Sequence, residues 1–266
     1  MNGREVWITG LGAVTGAGLG TGPLARMLER GEGAVRTDPA IGLASARPPA
    51  LPVDRTTRRL DPAAALFHAA GLEAWRDAGL VRPPDPRRTE LMEGSSLGPL
   101  AAALEEYART LRTGDPIRPT TLVRCLSGAG GAALALCLGI RGAVYHLSAG
   151  SISSTAAIGE AARRIARGEA DAIITGGGEA TLHPAIIGTF QSAGLLAPDG
   201  VCRPFDTERS GTVLGEGAAA VVLEAAECAR RRGARPRAVL AGFGTSSEVY
   251  DMTAPDPRGT GIAEAA

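Results

Sequence analysis

Four serines stand where residues 147–180 enter a predicted helix, and a serine nucleophile is the chemistry that they suggest. Ser148, Ser151, Ser153 and Ser154 precede or begin this helix. Free N–H groups and the dipole at a helix N-terminus stabilise negative charge that develops there. A hydroxyl is nevertheless a weak nucleophile unless a neighbouring base activates it. The alternative is that Ser151 only caps the helix through its backbone N–H groups.

A helix and a strand must hold these serines in place. Along residues 155–167, alanines and isoleucines recur with helical spacing and arginines occupy the other face. Gly168 predicts the end of this helix. Ala170–Thr175 is a short apolar run bounded by Gly176–Gly178, which is typical of a buried strand. Because the inward residues are small, this helix can lie close to its neighbours.

A second serine lies in a different motif. Gly94-Ser95-Ser96-Leu97-Gly98 matches the nucleophile elbow G-x-S-x-G, with a predicted strand before it and a helix after it. This pattern favours an α/β-hydrolase that uses Ser96. Only His146 and His183 follow as histidines, and no HGGG-type oxyanion segment precedes the motif. An esterase is therefore one alternative.

Composition excludes several classes of function. The formal net charge of zero gives no electrostatic footprint for nucleic acid or an anionic membrane. The 28 basic residues are all arginines, so a Schiff-base or P-loop lysine is excluded. The cysteines have no metal-ligand spacing, and we expect reduced thiols in the cytoplasm. They are Cys125, Cys137, Cys202 and Cys228.

Strand and helix patterns alternate along the chain, which predicts an α/β architecture. Residues 5–9 read as a strand that leads into a glycine-rich turn over residues 10–20. The stretch Gly10-Leu11-Gly12 lacks the third glycine of a dinucleotide-binding loop, so it predicts a tight connection. Residues 61–79 predict a helix with Asp61 as its cap. Further strands are predicted at residues 144–147, 218–223 and 238–244.

Five stretches together carry a family resemblance. They are VWITGLGAVT (6–15), the D-R-x-x-R helix (54–79), the serine-rich elbow with its G-G-x-E-A strand (148–180), the R-P-F-D-x-x-R-x-G-x-x-x-G-E-G signature (202–224) and SSEVYDMTAPDP (246–257). With them the chain resembles the N-terminal part of a β-ketoacyl-acyl-carrier-protein synthase of the thiolase superfamily.

The resemblance implies a fold and a reaction. The fold is a thiolase-like α/β dimer of duplicated βαβαβαββ halves. Residues 1–237 are then the N-terminal half, and residues 238–266 are the first strand and loop of an incomplete second half. In the family, a cysteine accepts an acyl group from a carrier protein, and two histidines of the second half assist decarboxylation and condensation.

The chain departs from this family where the chemistry occurs. The family's cysteine falls on Ser151, and the segments with both histidines lie beyond the end of this chain. His68, His146 and His183 match neither histidine. Loss of a positioned general base typically costs ~10²–10⁴ in rate, so we expect no condensation by this chain alone. Thr212 replaces a frequent phenylalanine gate, and Asp251 replaces a frequent histidine.

The resemblance therefore favours a non-catalytic subunit of the chain-length-factor type. Such a subunit pairs with a full-length ketosynthase in type II polyketide or fatty acid synthesis and shapes the acyl tunnel across the interface. A half fold also leaves an apolar face uncovered, which indicates an interface. Tunnel or interface candidates are Thr121, Leu122, Arg124, Cys125 and Thr212. The chain itself is expected to hold no cofactor, because the phosphopantetheine-bound acyl chain enters through the partner's acyl carrier protein.

Two catalytic alternatives remain. The first is a truncated or serine-dependent β-ketoacyl synthase or acyltransferase that uses Ser151. The second is the hydrolase-like esterase that uses Ser96.

Overall fold

A mixed β-sheet organises the chain, and the computed structural model describes residues 3–251 and 254–266. The strands are β1 (Val6–Thr15), β2 (Gly18–Leu19), β3 (Arg36–Asp38), β4 (Leu43–Ser45), β5 (Thr89–Gly94), β6 (Val144–Leu147), β7 (Ala172–Ala180), β8 (Glu216–Ala225) and β9 (Ala238–Val239). The helices are α1 (Thr21–Glu29), α2 (Pro62–Asp77), α3 (Leu100–Thr113), α4 (Thr120–Arg124), α5 (Ala129–Leu138), α6 (Ser153–Ala166), α7 (Pro184–Ser192), α8 (Ala226–Arg231) and α9 (Thr260–Ala265), with a 3₁₀ helix at Thr57–Arg59.

The main sheet has the order β2-β1-β8-β7-β5-β6, and β9 pairs with β1. β5 runs parallel to both β6 and β7, whereas β8 lies antiparallel between β7 and β1. β3 and β4 form a separate hairpin. The predicted α/β architecture is confirmed.

Helices cover both faces of this sheet. α2 and α5 pack on one face, where Phe67 and Leu134 are fully buried. α6 packs on the other face around the fully buried Ile165. Because successive strand residues point to opposite faces, Ile174 enters the first core and Ile173 the second. A strand that is covered on both faces explains the unbroken apolar run in the sequence.

The glycines after residue 9 belong to a strand, so the predicted turn over residues 10–20 is wrong in its first half. β1 continues to Thr15. A methyl group on Gly10 or Gly12 would overlap the backbone carbonyl oxygen of Ala74 or Ala70 in α2. These glycines let a helix lie directly on the strand.

The predicted second helix is confirmed with its cap. The Asp61 carboxylate accepts hydrogen bonds from the backbone N–H groups of Ala63 and Ala64, at 2.8 and 3.3 Å. Pro62 occupies the first helical position, and Gly79 follows the end in the left-handed conformation at φ 70°. Local signals are sufficient to set both ends of α2.

The C-terminal segment packs on the outer side of α6. The strand predicted over residues 238–244 is only the two residues of β9. Gly159 provides room for the Phe243 ring, and the Arg163 guanidinium lies 4.9 Å from the centre of that ring. Within the 246–257 motif, Met252 and Thr253 lie outside the described residues. The domain division at residue 238 stays a prediction.

Among the residues that the structure describes, no helix combines the length and the apolar character needed to cross a bilayer.

Candidate functional site

The carboxyl ends of three parallel strands meet at one edge of the sheet. β5, β6 and β7 lead into the segments 95–99, 148–152 and 181–183 at this edge. The backbone N–H of Ser95 donates to the carbonyl oxygen of Leu147 at 3.2 Å, which joins the first two segments. Both serine motifs of the sequence therefore belong to the same edge.

The 148–152 segment forms a tight elbow that Ser153 closes. The Ser153 hydroxyl accepts from the Ala149 N–H at 2.9 Å and donates to the Gly150 carbonyl oxygen at 2.6 Å. Gly150 adopts the left-handed conformation at φ 61°, which reverses the chain before α6. Ser151 is exposed at the mouth of the helix.

Glycines in two strands allow α6 to begin so close to the sheet. A methyl group on Gly94 would overlap the Ser153 carbonyl, and one on Gly177 would overlap both the Gly94 carbonyl oxygen and the Ser154 hydroxyl. Ser154 donates to the Gly94 carbonyl oxygen at 3.3 Å. The sequence pattern predicted that Gly176–Gly178 end the strand. These glycines instead lie within β7, which continues to Ala180.

Ser151 has no activating partner within residues 3–251 and 254–266. Its hydroxyl makes no hydrogen bond there, so the interpretation of Ser151 as a helix cap is wrong. The His183 Nδ1 atom accepts from the Ala185 N–H at 3.2 Å and caps α7. His68 is buried within α2. The elbow therefore presents a hydroxyl at a helix N-terminus without the base that nucleophilic catalysis needs.

His146 lies beside a buried carboxylate that the sequence reasoning missed. Glu93 and His146 are partners across the parallel pair β5–β6, and the Nδ1 atom of His146 lies 4.0 Å from Oε2 of Glu93. That nitrogen is buried and has no hydrogen-bond partner in the described part of the chain. The Glu93 carboxylate accepts from the Gly131 N–H at 2.9 Å. Burial raises the pKa of Asp61 nearby, and the charge of Glu93 adds to the effect.

The Ser96 motif is not a hydrolase elbow. The Glu179 carboxylate accepts hydrogen bonds from the Ser95 hydroxyl at 2.9 Å and from the Ser96 backbone N–H. In an esterase the N–H of the residue after the nucleophile, here Leu97, would have to stabilise the oxyanion, and it donates to the Glu179 carboxylate at 3.4 Å. Because a carboxylate already accepts from this donor, the geometry does not support the esterase interpretation.

The tunnel candidates on and after α4 lie at the surface. Leu122 is 72% exposed, and Thr121 and Cys125 are half-buried. The Nε atom of Arg124 is buried, and no described residue forms a hydrogen bond with it. The following turn reaches β6, because Gly128 packs against the side chain of His146. The structure thus brings this segment to the strand that leads to the elbow.

Thr212 lies elsewhere. Its N–H donates to the Leu195 carbonyl oxygen at 2.8 Å, and its own carbonyl accepts from Ala197 at 2.9 Å. It lines a cleft of about 250 Å³ together with Leu43 and Ile187. No hydrogen bond of the described chain joins Thr212 to α4 or to Ser151, and their role in one tunnel stays a prediction.

An apolar cleft of about 320 Å³ adjoins the elbow. Ile152 of the elbow and Thr155 of α6 form one wall. Phe243 and Ile262 of the C-terminal segment form the other. Ile152 is 52% exposed, although it directly follows Ser151. The elbow therefore opens toward an apolar surface.

Comparisons with known proteins agree with this geometry. Residues 51–229 match the family described as "Beta-ketoacyl synthase, N-terminal domain". The chain is 33% identical to Nodulation protein E of Rhizobium meliloti over 269 residues, which cover 96% of this chain and 66% of that protein. It is 33% identical to 3-oxoacyl-[acyl-carrier-protein] synthase 2 of Coxiella burnetii, over 98% of this chain and 68% of that one.

A solved structure described as the ishigamide ketosynthase/chain length factor superposes with a TM-score of 0.89 at 27% identity, covering 99% of this chain and 68% of that one. The chain thus spans about two thirds of the length of the relatives that it matches, with 66% for the first. Sequence, fold and elbow agree, and the chain belongs to the β-ketoacyl synthase family of the thiolase superfamily.

Proposed function

We propose that the chain is a non-catalytic, chain-length-factor-like partner of an acyl-carrier-protein-dependent ketosynthase in polyketide or fatty acid biosynthesis. The observation that carries the proposal is the elbow: its geometry is complete, but its exposed residue is Ser151, for which the described residues supply no base. The chain then contributes walls of an acyl tunnel and leaves the chemistry to the thiolate of the partner.

An open sheet edge supports the partner role. β6 ends the order of the main sheet, and Val144 and Tyr145 on it are 40% and 42% exposed. An unpaired edge with apolar side chains is a ready site for a strand of another chain. Apolar residues of α4 and α5 extend this surface. We call the set the β6 surface; it comprises Leu122, Leu126, Leu136, Val144 and Tyr145.

Positive charge beside α4 suits an acidic carrier protein. Arg55, Arg58 and Arg59 are exposed, and their side chains make no ion pair within the described residues. The 3₁₀ helix that carries two of them packs against α4. We therefore place the acyl carrier protein on this side. The acyl group arrives on its phosphopantetheine arm, and this chain holds no cofactor of its own. The four cysteines are free thiols, which suits a cytoplasmic location.

Co-purification tests the proposal. We expect this chain, co-expressed with a full-length ketosynthase from the same genome, to elute as a complex in size-exclusion chromatography with light scattering. Leu136→Asp combined with Val144→Asp should abolish the complex, because both substitutions place a charge on the β6 surface. The matched control is Val81→Asp, since Val81 is 95% exposed outside that surface. A well-folded monomer that never co-purifies would refute the partner role.

A serine-dependent or truncated synthase is the second candidate. It is favoured by the exposure of Ser151 at the N-terminus of α6 and by the synthase name of the Coxiella relative. An acyl adduct on Ser151 would distinguish this candidate from the first.

A further inference from the structure

A cleft between α1 and the β3–β4 hairpin carries positive charge that the described chain does not cancel. The cleft measures about 510 Å³, and four arginines line it: Arg26, Arg30, Arg36 and Arg47. Its lining residues fall within 16–47, outside the region 51–229 that matches the synthase family. The proposed function makes no use of this cleft.

One arginine is neutralised by its neighbours. Arg47 donates from Nε to the Asp38 carboxylate at 2.8 Å and from Nη1 to the Glu216 carboxylate at 3.1 Å. The Arg47 guanidinium holds the pKa of the Asp38 carboxyl below its usual range, so this carboxylate stays charged. Arg47 therefore holds the hairpin in place, and its cluster with Asp38 and Glu216 has one carboxylate in excess.

The other three guanidinium groups have no carboxylate partner among the residues that the structure describes. Arg36 donates from Nη1 to the carbonyl oxygens of Gly33 and Val35, both at 2.7 Å, which fixes its position and leaves its charge uncancelled. Arg26 lies in the last turn of α1 and Arg30 is the C-cap residue four positions on; within the described residues their side chains form no salt bridge or hydrogen bond. Like charges at this spacing destabilise a helix.

The carboxylate of Glu32 also faces this cleft and is unpaired in the described chain. Three free guanidinium groups, set against Glu32 and the surplus carboxylate of the Arg47–Asp38–Glu216 cluster, leave a net charge of about +1. Guanidinium groups bind phosphate through paired N–H donors, and a phosphate monoester carries close to two negative charges at neutral pH.

We propose that this cleft binds the phosphate group of a small phosphorylated molecule. Arg36 is already fixed in place, and an anion between Arg26 and Arg30 relieves their repulsion. Arg47 and Asp38 hold the hairpin wall without competing for the ligand.

Titration calorimetry with inorganic pyrophosphate tests the site. We expect saturable one-to-one binding to the full chain that persists at 0.15 M salt, because roughly 8 Å is the screening length there and the contacts are shorter. Arg26→Gln combined with Arg30→Gln should weaken binding at least tenfold. Arg82→Gln combined with Arg87→Gln removes the same charge from exposed, unpaired arginines elsewhere and should leave binding unchanged.

Circular dichroism of both double variants verifies that they are folded. Absence of saturation by the wild-type chain would overturn the proposal, as would equal weakening in the Arg82/Arg87 variant, which indicates only general charge attraction. Tighter binding of a poly-glutamate peptide than of pyrophosphate would also overturn it, in favour of an acidic protein partner.

Discussion

Gly177 on β7 lies directly against the backbone carbonyl oxygen of Gly94 on β5, and the hydroxyl of Ser154 lies on the same side of Gly177. The two strands and the first turn of α6 therefore meet at backbone distance. The position of the elbow depends on the absence of side chains at these two glycines.

Gly177→Ala should destabilise the fold strongly. The added methyl group meets backbone atoms that cannot move without shifting a strand or α6. We expect the free energy of unfolding to fall by about 3 kcal/mol, the upper range for overpacked sites. Urea denaturation followed by circular dichroism measures this change.

Gly188→Ala is the matched control for that experiment. Gly188 lies in α7, and a methyl group there meets no atom within 4 Å. Alanine in a helix interior gains about 0.5–1 kcal/mol over glycine, so we expect unchanged or higher stability. Equal losses in both variants would contradict the packing explanation.

Ser151→Cys should restore a reactive nucleophile to the elbow. The introduced thiol is exposed at the N-terminus of α6, where the helix lowers a thiol pKa below about 8.5. In a background with Cys137→Ser and Cys202→Ser, we expect iodoacetamide to label position 151 first, with a rate midpoint below that pH. Mass spectrometry of digested protein locates the label.

The wild-type chain should give no adduct with acyl-carrier protein thioesters, because no base activates Ser151. Ser151→Ala is the control for background acylation. An adduct on Ser151 that disappears in this variant would favour the serine acyltransferase over the partner role.

His68 should make the fold sensitive to acid. Burial lowers its pKa below the ordinary 6.5, although the Asp54 carboxylate partly opposes this effect. Within residues 3–251 and 254–266, its Nε2 atom has no hydrogen-bond partner. The unfolded chain therefore takes up the proton first, so His68 favours folding above pH 6.5 and this contribution is lost as the pH falls below 6.5.

Urea denaturation between pH 7 and pH 5 measures this dependence. We expect a smaller loss of stability in His68→Gln than in the wild-type chain. His183→Asn retains a helix-capping side chain on α7 and should keep the wild-type slope. Asp61 acts in the opposite direction, because its pKa is raised and its neutral form is favoured in the fold. The role of His68 is therefore judged from the difference in pH dependence between the variants and the wild-type chain. Identical slopes in all three chains would show that His68 is not the sensor.

Features with local signals were predictable from the sequence. The cap and both ends of α2 follow from Asp61, Pro62 and Gly79, and the predicted strand over residues 144–147 coincides with β6. The helix after the elbow was predicted within two residues at its start. Each of these features depends on residues that are close together along the chain.

Features that depend on distant partners were not predictable. The sequence predicted a turn at Gly10 and Gly12, because no residue near them along the chain indicates that α2 packs against them. The role of Glu179 needed the fold, since its bond to Ser95 joins residues 84 positions apart. The pairing of Glu93 with His146 likewise required the register of two parallel strands.

The residues that shape the elbow differ from the residue that occupies its reactive position. Ser153, Gly150, Gly94 and Gly177 build its shape, and the side chain of Ser151 makes no hydrogen bond to it. A substitution at position 151 therefore changes the chemical group that the elbow presents and leaves the residues that shape the elbow untouched.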